Sequence, residues 1–247
     1  MTLSRDRYLS QIADESARLL ATSPSALEQP IPHIEGWTVG DVLGHTGWVA
    51  RYVTLLQAVS PDDPPSRSAI PNPPAGAEVL NWAAEAVDGL TVALEASDPE
   101  IVRPSFAGPV PARWWVRRMA HELSMHRWDI DAATSSPTPI DAAISVDGLD
   151  EIFQVFVPTR MRFETLAGTG EIVHLHSTDE AEGAGEWTAT LLEDRVDWDH
   201  SHTKGDVAVR GSASDLLLMM WSRIPASRLQ VFGDANIIDR WQEAAAF

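Results

Sequence analysis

The stretch MAHELSMHRWDID at positions 119–131 concentrates ionisable side chains in a chain that is otherwise apolar and alanine-rich. On an α-helix, residues four positions apart lie about 40° apart around the axis, so Glu122 and His126 project from one face. A carboxylate and an imidazole at that spacing can bind the same metal ion. His121 and His126 are five positions apart, or about 140°, and cannot share an ion on a straight helix. The zinc-protease motif HExxH needs histidines at i and i+4, so the HExxxH string here excludes it.

A metal site needs a further ligand, because a catalytic zinc ion typically takes three protein ligands and leaves one position open. The candidate is His45 in DVLGHTGWV, on an apolar helical stripe that we expect to face the interior of a bundle. Two imidazoles and one carboxylate suit zinc and tolerate nickel, iron or cobalt. Spacing alone also permits a plainer interpretation, in which the histidines are hydrogen-bonded core residues and the glutamate belongs to an ordinary helical pair.

Two further ionisable residues of this stretch could support the site. His121 lies off the face of Glu122, so we expect a supporting or surface residue rather than a ligand. Asp129 lies seven positions after Glu122 and could orient His126. A simple salt bridge between Asp129 and a neighbouring arginine is an equally good interpretation.

A second group of histidines lies nearer the C-terminus. His174 and His176 alternate on one face of a predicted strand. The stretch DWDHSH at 197–202 adds His200 and His202 after two aspartates, in a predicted loop. This stretch could form a second metal patch, but we expect a solvated turn there.

The elements that must position His45, Glu122 and His126 are predicted helices. Thr38 followed by Asp41 is typical of a capping box at a helix start. Six prolines in residues 60–77 predict a long irregular loop, and a second Pro/Gly-rich loop follows at 98–112. The periodicity predicts four helices joined by these loops, which is typical of a four-helix bundle, over residues 3–22, 38–59, 78–96 and 112–133.

The pattern changes after TSSPTPI at 134–140. Short β-like segments separated by turn residues follow, between flanking helices, and this predicts a small α+β domain. The predicted fold class is therefore α plus α+β, with a four-helix metal-binding bundle at 1–137 and an α+β domain at 138–247. The predicted helices of the second domain span 141–158, 212–223 and 235–246, and its strands span 171–178, 186–194, 206–211 and 229–233.

Composition limits the partners of the chain. The formal net charge of −18, from 18 basic and 36 acidic residues, argues against a nucleic-acid partner. The nearest basic cluster, RWWVRR at 113–118, is expected to be a solvated arginine edge beside buried tryptophans. No run of about 18 apolar residues predicts a membrane span, and the absence of cysteine fits a cytoplasmic protein. We therefore expect a small-molecule partner, with the chain a monomer or a homodimer.

The segments GWTVGDVLGHTGWVARYV and HELSMHRWDID resemble the two signature segments of the mycothiol-dependent maleylpyruvate isomerase family, within the DinB/YfiT-like metalloenzyme superfamily. The segment GDVAVRGSASDLLLMMWSRIPASRLQVFGD resembles the second domain of that family, which is similar to sterol-carrier proteins. Carried over by position, the metal ligands of the family fall on His45, Glu122 and His126. The functionally important arginine of the family corresponds to Arg223, with Arg228 close by as an alternative.

The resemblance implies a metal-dependent enzyme, with zinc or another divalent metal, that uses a small thiol, mycothiol, as cosubstrate. The thiolate would add to a conjugated cis double bond, the resulting single bond would rotate, and elimination would return the trans isomer. Other members would act as S-transferases on small electrophiles, and Arg223 would hold a substrate carboxylate. Two alternatives stay open from the residues themselves, namely a non-catalytic module that binds a metal or an apolar ligand, and a stress sensor.

Overall fold

The computed structural model describes residues 3–134, 137–179 and 185–245, which fall into two compact units that divide between residues 138 and 139. Each unit buries its own apolar core. Within the described ranges, no helix is both long and apolar enough to cross a membrane.

The first unit is a bundle of four helices. Helix α1 packs mainly against α4, and α2 packs mainly against α3, while contacts of α2 with α4 and of α1 with α3 complete the bundle. The four helices are α1 Arg5–Leu20, α2 Val39–Leu56, α3 Glu78–Ala96 and α4 Ala112–Thr134.

Local sequence explains where α2 begins and how closely α3 approaches it. The Asp41 amide donates to the Thr38 hydroxyl at 3.3 Å, and the Thr38 amide donates to the Asp41 carboxylate at 2.8 Å, which completes the capping box. A Cβ at Gly47 would lie 2.5 Å from the Trp82 ring, so only glycine permits this helix contact. His45 therefore lies in the second turn of a helix whose start and packing are both fixed.

The two proline-rich connections contain more regular structure than the sequence predicted. One turn of 3₁₀ helix, Arg67–Ala69, interrupts the loop at 60–77. In the loop at 98–112, Val102–Arg103 (β1) pairs antiparallel with Val110–Pro111 (β2). These pieces are too short for a periodic hydrophobic signal, which is why the pattern indicated loops.

The second unit is an α+β domain built on a five-stranded sheet of order β5-β4-β3-β6-β7. Strands β3 and β6 pair parallel, and the other neighbours pair antiparallel. The strands are β3 Glu171–Ser177, β4 Glu186–Leu191, β5 Val196–Asp199, β6 Val207–Gly211 and β7 Gln230–Gly233. The helices are α5 Ala142–Glu151, α6 Val157–Thr159, α7 Phe163–Leu166, α8 Ala213–Met220 and α9 Asn236–Ala244, and a π-helical turn, Ile152–Phe156, joins α5 to α6.

The two faces of this sheet differ in chemistry. Val173, Leu175 and Trp187 are fully buried on one face, where the Trp187 indole donates to Asp150 of α5 at 2.8 Å. The alternate residues of β3, His174 and His176, project from the other face because strand side chains alternate. The helical bundle followed by this domain confirms the predicted fold class, α plus α+β.

Candidate metal centre

Two helices of the bundle bring His45, Glu122 and His126 together. One ligand atom of each side chain lies within 4.8 Å of the others, although 77 positions separate His45 from Glu122. The Glu122 carboxylate is central, because its Oε1 lies 3.1 Å from Nε2 of His45 and 3.2 Å from Nε2 of His126. The two imidazole rings meet edge to face, with centroids 4.9 Å apart. The geometry therefore groups the three residues that helical spacing selected.

Opposite charges hold this group together. Burial would raise the pKa of Glu122, but Arg118 and His126 hold it well below its usual value. Burial would lower the pKa of His126, but the Glu122 charge and a hydrogen bond with Asp129 raise it to about 9. At neutral pH the three side chains thus include an imidazolium–carboxylate pair, and a cation binding there must displace a proton.

A hydrogen-bond network outside the three residues fixes their orientation. Asp129 is fully buried, and its Oδ2 accepts from Nδ1 of His126 at 2.9 Å. Its Oδ1 pairs with Nε2 of His33 at 2.7 Å. The Arg118 guanidinium pairs with Oε2 of Glu122, which leaves Oε1 directed at the two histidines. The contact with Nδ1 of His126 agrees with the interpretation that Asp129 orients this imidazole, as expected for the supporting partner of a ligating histidine.

Sequence reasoning missed His33 and Arg118 as parts of this network. No local pattern connects His33 with Asp129, because 96 positions separate them and His33 lies in an irregular segment before α2. Arg118 did carry a signal, since it precedes Glu122 by four positions on one helix. The predicted solvated arginine edge at 113–118 is wrong in part, because Arg117 and Arg118 are buried. Arg118 lies next to an acidic partner, Glu122, on the same helix.

The residues present fit a divalent cation of the zinc type. Two neutral imidazoles and one carboxylate form the donor set of many catalytic zinc sites. The side chains of Glu122 and His126 are largely buried, whereas 37% of the His45 side chain is exposed. The site is thus lined by protein on one side and reachable by a small molecule on the other, as a catalytic metal site requires.

Two other polar residues of α4, His121 and Arg127, make contacts outside the candidate site. His121 is buried rather than on the surface, and its ring meets the Tyr8 ring edge-on at 6.2 Å, outside the group of three. Arg127 is 1% exposed and its Nε donates to Glu15 at 2.7 Å. In the HRWD string, His126 and Asp129 therefore belong to the candidate site, whereas Arg127 lies in the bundle core.

Arg223 lies at the end of α8, where the chain turns sharply. The Ser222 amide donates to the carbonyl of Met219 and the Arg223 amide to that of Leu218, the two bonds of a Schellman motif. Ser222 has φ 59°, a conformation that favours glycine, and its hydroxyl donates to the carbonyl of Gln242 at 2.8 Å. Arg223 is half-buried, whereas Arg228 is exposed in a 3₁₀ turn.

The histidines of the second domain are arranged only in part as the sequence predicted, since His174 and His176 share one face of β3 as expected. Asp197 and Asp199 belong to strand β5, so the predicted loop at 197–202 is wrong in its first half. The alternation of apolar and acidic residues there is that of an edge strand, which the charges obscured. His200 pairs with Asp150, whereas His202 joins the face of the sheet that carries His174 and His176. The expected solvated turn therefore describes only part of residues 197–202.

Two family models cover most of the chain. The model described as "Mycothiol maleylpyruvate isomerase N-terminal domain" matches residues 9–131, which include His45, Glu122 and His126. The model described as "MDMPI C-terminal domain" matches residues 143–240, which include Arg223. No curated protein matches the chain.

Solved structures of this family share the fold. The crystal structure of the mycothiol-dependent maleylpyruvate isomerase has a TM-score of 0.63 and 17% sequence identity, and the match covers 94% of this chain and 95% of that chain. A mutant of that enzyme with one histidine replaced by alanine has a TM-score of 0.64 at the same identity and coverage. Since both family models match in order, the chain belongs to the mycothiol-dependent maleylpyruvate isomerase family, a family of enzymes.

Proposed function

We propose that this protein is a mycothiol-dependent isomerase whose divalent cation, zinc by its donor set, is held by His45, Glu122 and His126. The observation that carries the proposal is the convergence of these side chains from α2 and α4, with their ligand atoms within 4.8 Å of one another. Membership of the family supports the choice of thiol and the class of reaction. The arrangement of ligands with one solvent-reachable side supports catalysis over a closed structural site.

The sulfur must come from the cosubstrate, because the chain contains no cysteine. A divalent cation, when bound, supplies the positive charge that lowers the pKa of a thiol binding to it. His45, Glu122 and His126 contribute a single negative charge, so a dication bound there keeps a net positive charge. Because the His45 side chain is partly exposed, a small thiol can approach the site from this side.

The surrounding residues of the bundle keep the ligands in one geometry. Asp129 fixes the ring of His126 through Nδ1 and leaves Nε2 for the cation. Arg118 occupies the outer oxygen of Glu122 and keeps this carboxylate ionised. The Trp37 ring, 5.4 Å from that of His45, forms an apolar wall next to the exposed ligand. These contacts hold the three donors ready without requiring a large rearrangement.

The proline-rich loop at 60–77 is the proposed determinant of the electrophilic substrate. It packs along one face of α2 near His45, since Pro73 abuts Gly44 and the Arg67 guanidinium lies over the Trp48 ring at 4.9 Å. Changes in this loop therefore act within one helical turn of a metal ligand. Maleylpyruvate is the first substrate to test, and an S-transferase reaction on another small electrophile is the alternative outcome.

Arg223 is the proposed holder of the substrate carboxylate, on the strength of the family resemblance. Its Schellman turn and the strained Ser222 fix the backbone from which the guanidinium projects. Arg223→Ala is expected to raise the KM for a carboxylate substrate at least tenfold while leaving bound zinc unchanged. The matched variant Arg228→Ala is expected to leave the KM within about twofold, and the reverse order would assign the role to Arg228.

The central experiment combines zinc-loaded protein, mycothiol and maleylpyruvate, with isomerisation followed by absorbance. Activity is expected with mycothiol and not with glutathione or bacillithiol. His126→Ala is expected to bind one zinc ion per chain fewer than the native protein and to lose the activity. His121→Gln, a change of a histidine on the same helix outside the group of three, is expected to keep the zinc. An equal zinc content in His126→Ala and the native protein would contradict the assigned ligands. The proposed mycothiol-dependent activity would be contradicted if no electrophile of a panel shows thiol-dependent turnover and mycothiol causes no specific rise in melting temperature.

A further inference from the structure

A second group of metal-binding side chains lies in the α+β domain, on the sheet face opposite the buried Trp187. His174, His176, Glu186 and His202 each offer a ligand atom, and these atoms lie within 4.8 Å of one another. Three imidazoles and one carboxylate are a nitrogen-rich donor set that prefers zinc, nickel, cobalt or copper over magnesium or calcium. None of these residues belongs to the group formed by His45, Glu122 and His126.

Strand geometry alone sets the positions of three of the four ligands. His174 and His176 are two positions apart on β3 and therefore share one face. Glu186 on β4 is directly opposite His176 in the antiparallel register, where side chains lie closest. Its Oε1 lies 2.6 Å from Nδ1 of His176. The position of this carboxylate is thus set by strand pairing and not by a chance contact between flexible side chains.

The fourth ligand comes from a loop that is held against the sheet. The Thr188 hydroxyl donates to the carbonyl of Ser201 at 2.8 Å, and a Cβ at Gly205 would lie 2.9 Å from the carbonyl oxygen of Ile172. Between these anchors, Nδ1 of His202 lies 3.0 Å from both carboxylate oxygens of Glu186. The His174 and His202 rings meet edge to face with centroids 4.9 Å apart. The loop thus closes over the two strand histidines.

An orphaned polar atom adds an independent observation. His174 is 6% exposed, and its Nε2 is buried without a hydrogen-bond partner among the residues that the structure describes. A buried ring nitrogen left unpaired costs free energy, so its place in a group of four potential ligands needs a reason. Coordination of a cation by this group would supply one.

We propose that His174, His176, Glu186 and His202 form a second site for a zinc-type cation, which clamps the loop at 200–205 onto the sheet. In tetrahedral coordination at about 2.0–2.1 Å, neighbouring ligand atoms lie roughly 3.3 Å apart. The group must therefore contract by about an ångström or more at its widest separation. His202 can supply this movement, because its side chain is 73% exposed on the loop.

Four protein ligands leave no open coordination position, which is typical of a structural rather than a catalytic zinc site. The site borders a cleft of about 480 Å³ that is lined by His174, His202, Lys204 and Phe232. Clamping of the loop would therefore also fix one wall of this cleft. The role assigned to the cation is the ordering of this part of the domain.

The experiment measures zinc uptake in a background that lacks the first site. His126→Ala is expected to bind one zinc ion per chain after dialysis, by metal analysis and calorimetric titration. His126→Ala/His202→Ala is expected to bind none, and His126→Ala/His200→Ala, which removes the neighbouring histidine instead, is expected to keep one. Zinc, but not magnesium, is expected to raise the melting temperature of His126→Ala, and this rise should disappear in the double variant that also lacks His202.

Two results would overturn the proposal. One is the absence of zinc in folded His126→Ala, and the other is equal zinc uptake by the two double variants. Because His202 is an exposed loop residue, circular dichroism is expected to show an unchanged fold in its variants. His202→Ala in the otherwise native chain separates the two sites, since it should lower the zinc content by one even if the first site binds nothing.

Discussion

The residue Asp129 shows how a single buried carboxylate can determine the geometry of a metal ligand. Both of its oxygens face histidines, with Oδ2 bonded to His126 and Oδ1 to His33. The bond to Nδ1 selects the tautomer that leaves Nε2 of His126 directed at Glu122. The carboxylate also makes the imidazole a stronger donor to a cation.

The variant Asp129→Asn is therefore expected to weaken zinc binding by about 10- to 100-fold, the usual effect of changing such a supporting partner. The amide keeps the size of the side chain and one acceptor oxygen, so the bundle should remain folded. Competition with a chromogenic chelator measures the affinity.

The matched control for this experiment is Asp131→Asn, two positions along the same helix. Asp131 pairs with Arg18 and Arg127 and contacts none of the three proposed ligands within the described hydrogen bonds. Its variant is expected to keep the native zinc affinity. Equal zinc affinities for the Asp129→Asn and Asp131→Asn proteins would show that Asp129 does not orient the ligand.

Residue spacing was enough to predict two of the three proposed ligands, and an argument about helix faces predicted the third. Four-residue spacing placed Glu122 and His126 on one face, and the expected inward stripe added His45. His33 could not be predicted, since it comes from an irregular segment whose path depends on the whole bundle. The sequence also offered a metal patch at 197–202 but did not join His202 to His174 and His176, because these residues meet only after the sheet has formed.

At the scale of elements, α1 and α4 are joined by a buried ion pair. Arg127 is 1% exposed and Glu15 is 3% exposed, and Nε and Nη2 of the arginine lie 2.7 and 3.2 Å from the carboxylate oxygens. Removal of one member leaves the other charge buried without its partner, which costs far more than the pair contributes.

Arg127→Met is therefore expected to lower the free energy of unfolding by about 3–5 kcal/mol, measured by urea denaturation. The double variant Arg127→Met/Glu15→Leu removes both charges and is expected to recover a large part of this loss. If the double variant is less stable than Arg127→Met, the buried carboxylate is not the source of the destabilisation.

The start of strand β3 gives a stability that depends on pH. The backbone amides of Glu171 and Thr169 lower the pKa of the Glu171 carboxyl, with a further contribution from Arg240. A lowered folded-state pKa contributes stability above the pKa of the unfolded chain, about 4.3, and this contribution is lost as the pH falls through the folded-state value.

Glu171→Gln is expected to destabilise the protein by about 1 kcal/mol at pH 7, since the carboxylate is only partly buried. The difference from the native protein should begin to shrink as the pH falls below the pKa of the unfolded chain, about 4.3, and should disappear once the pH has passed the lowered folded-state value. Urea denaturation at pH 7 and at successively lower pH tests this. Glu164→Gln, a change of an exposed carboxylate on α7, should show little difference at either pH, and a Glu171→Gln difference that is constant with pH would refute the assignment.

Elements with strong local signals were predictable, and those defined by pairing were not. The capping residues Thr38 and Ser212 mark the starts of α2 and α8 within one or two positions of the prediction. Strand β5 is four residues long and acquires its identity from pairing with β4, so the sequence indicated only a loop. Short edge strands carry little hydrophobic periodicity, which explains this difference.

At the scale of the whole molecule, the net charge of −18 affects which partners the chain attracts. Excess negative charge raises the local concentration of cations near any His/Glu group and disfavours acidic macromolecules. The fold class followed from the change of pattern near residues 134–140, because helical periodicity and strand alternation meet there. The boundary at 137–138 is a prediction about folding units that can be tested directly.

The two units are expected to fold as separate fragments, residues 1–138 and 139–247, because each exceeds about 100 residues and buries its own core. Circular dichroism and thermal melting should show one cooperative transition for each fragment. Zinc should raise the melting temperature of fragment 1–138 in native form and not with His126→Ala.

The position of the cut gives the sharpest version of this prediction. The buried Arg127 donates from Nη1 to the carbonyl of Thr138 at 2.7 Å, so a fragment must include residue 138 to satisfy this guanidinium. A fragment ending at residue 134 is therefore expected to be less stable than fragment 1–138 by about 1–3 kcal/mol in urea denaturation, the cost of a buried charged group losing a hydrogen bond. Equal stability of the two fragments would show that Thr138 lies outside the folding unit, and non-cooperative melting of both would show that the bundle does not fold by itself.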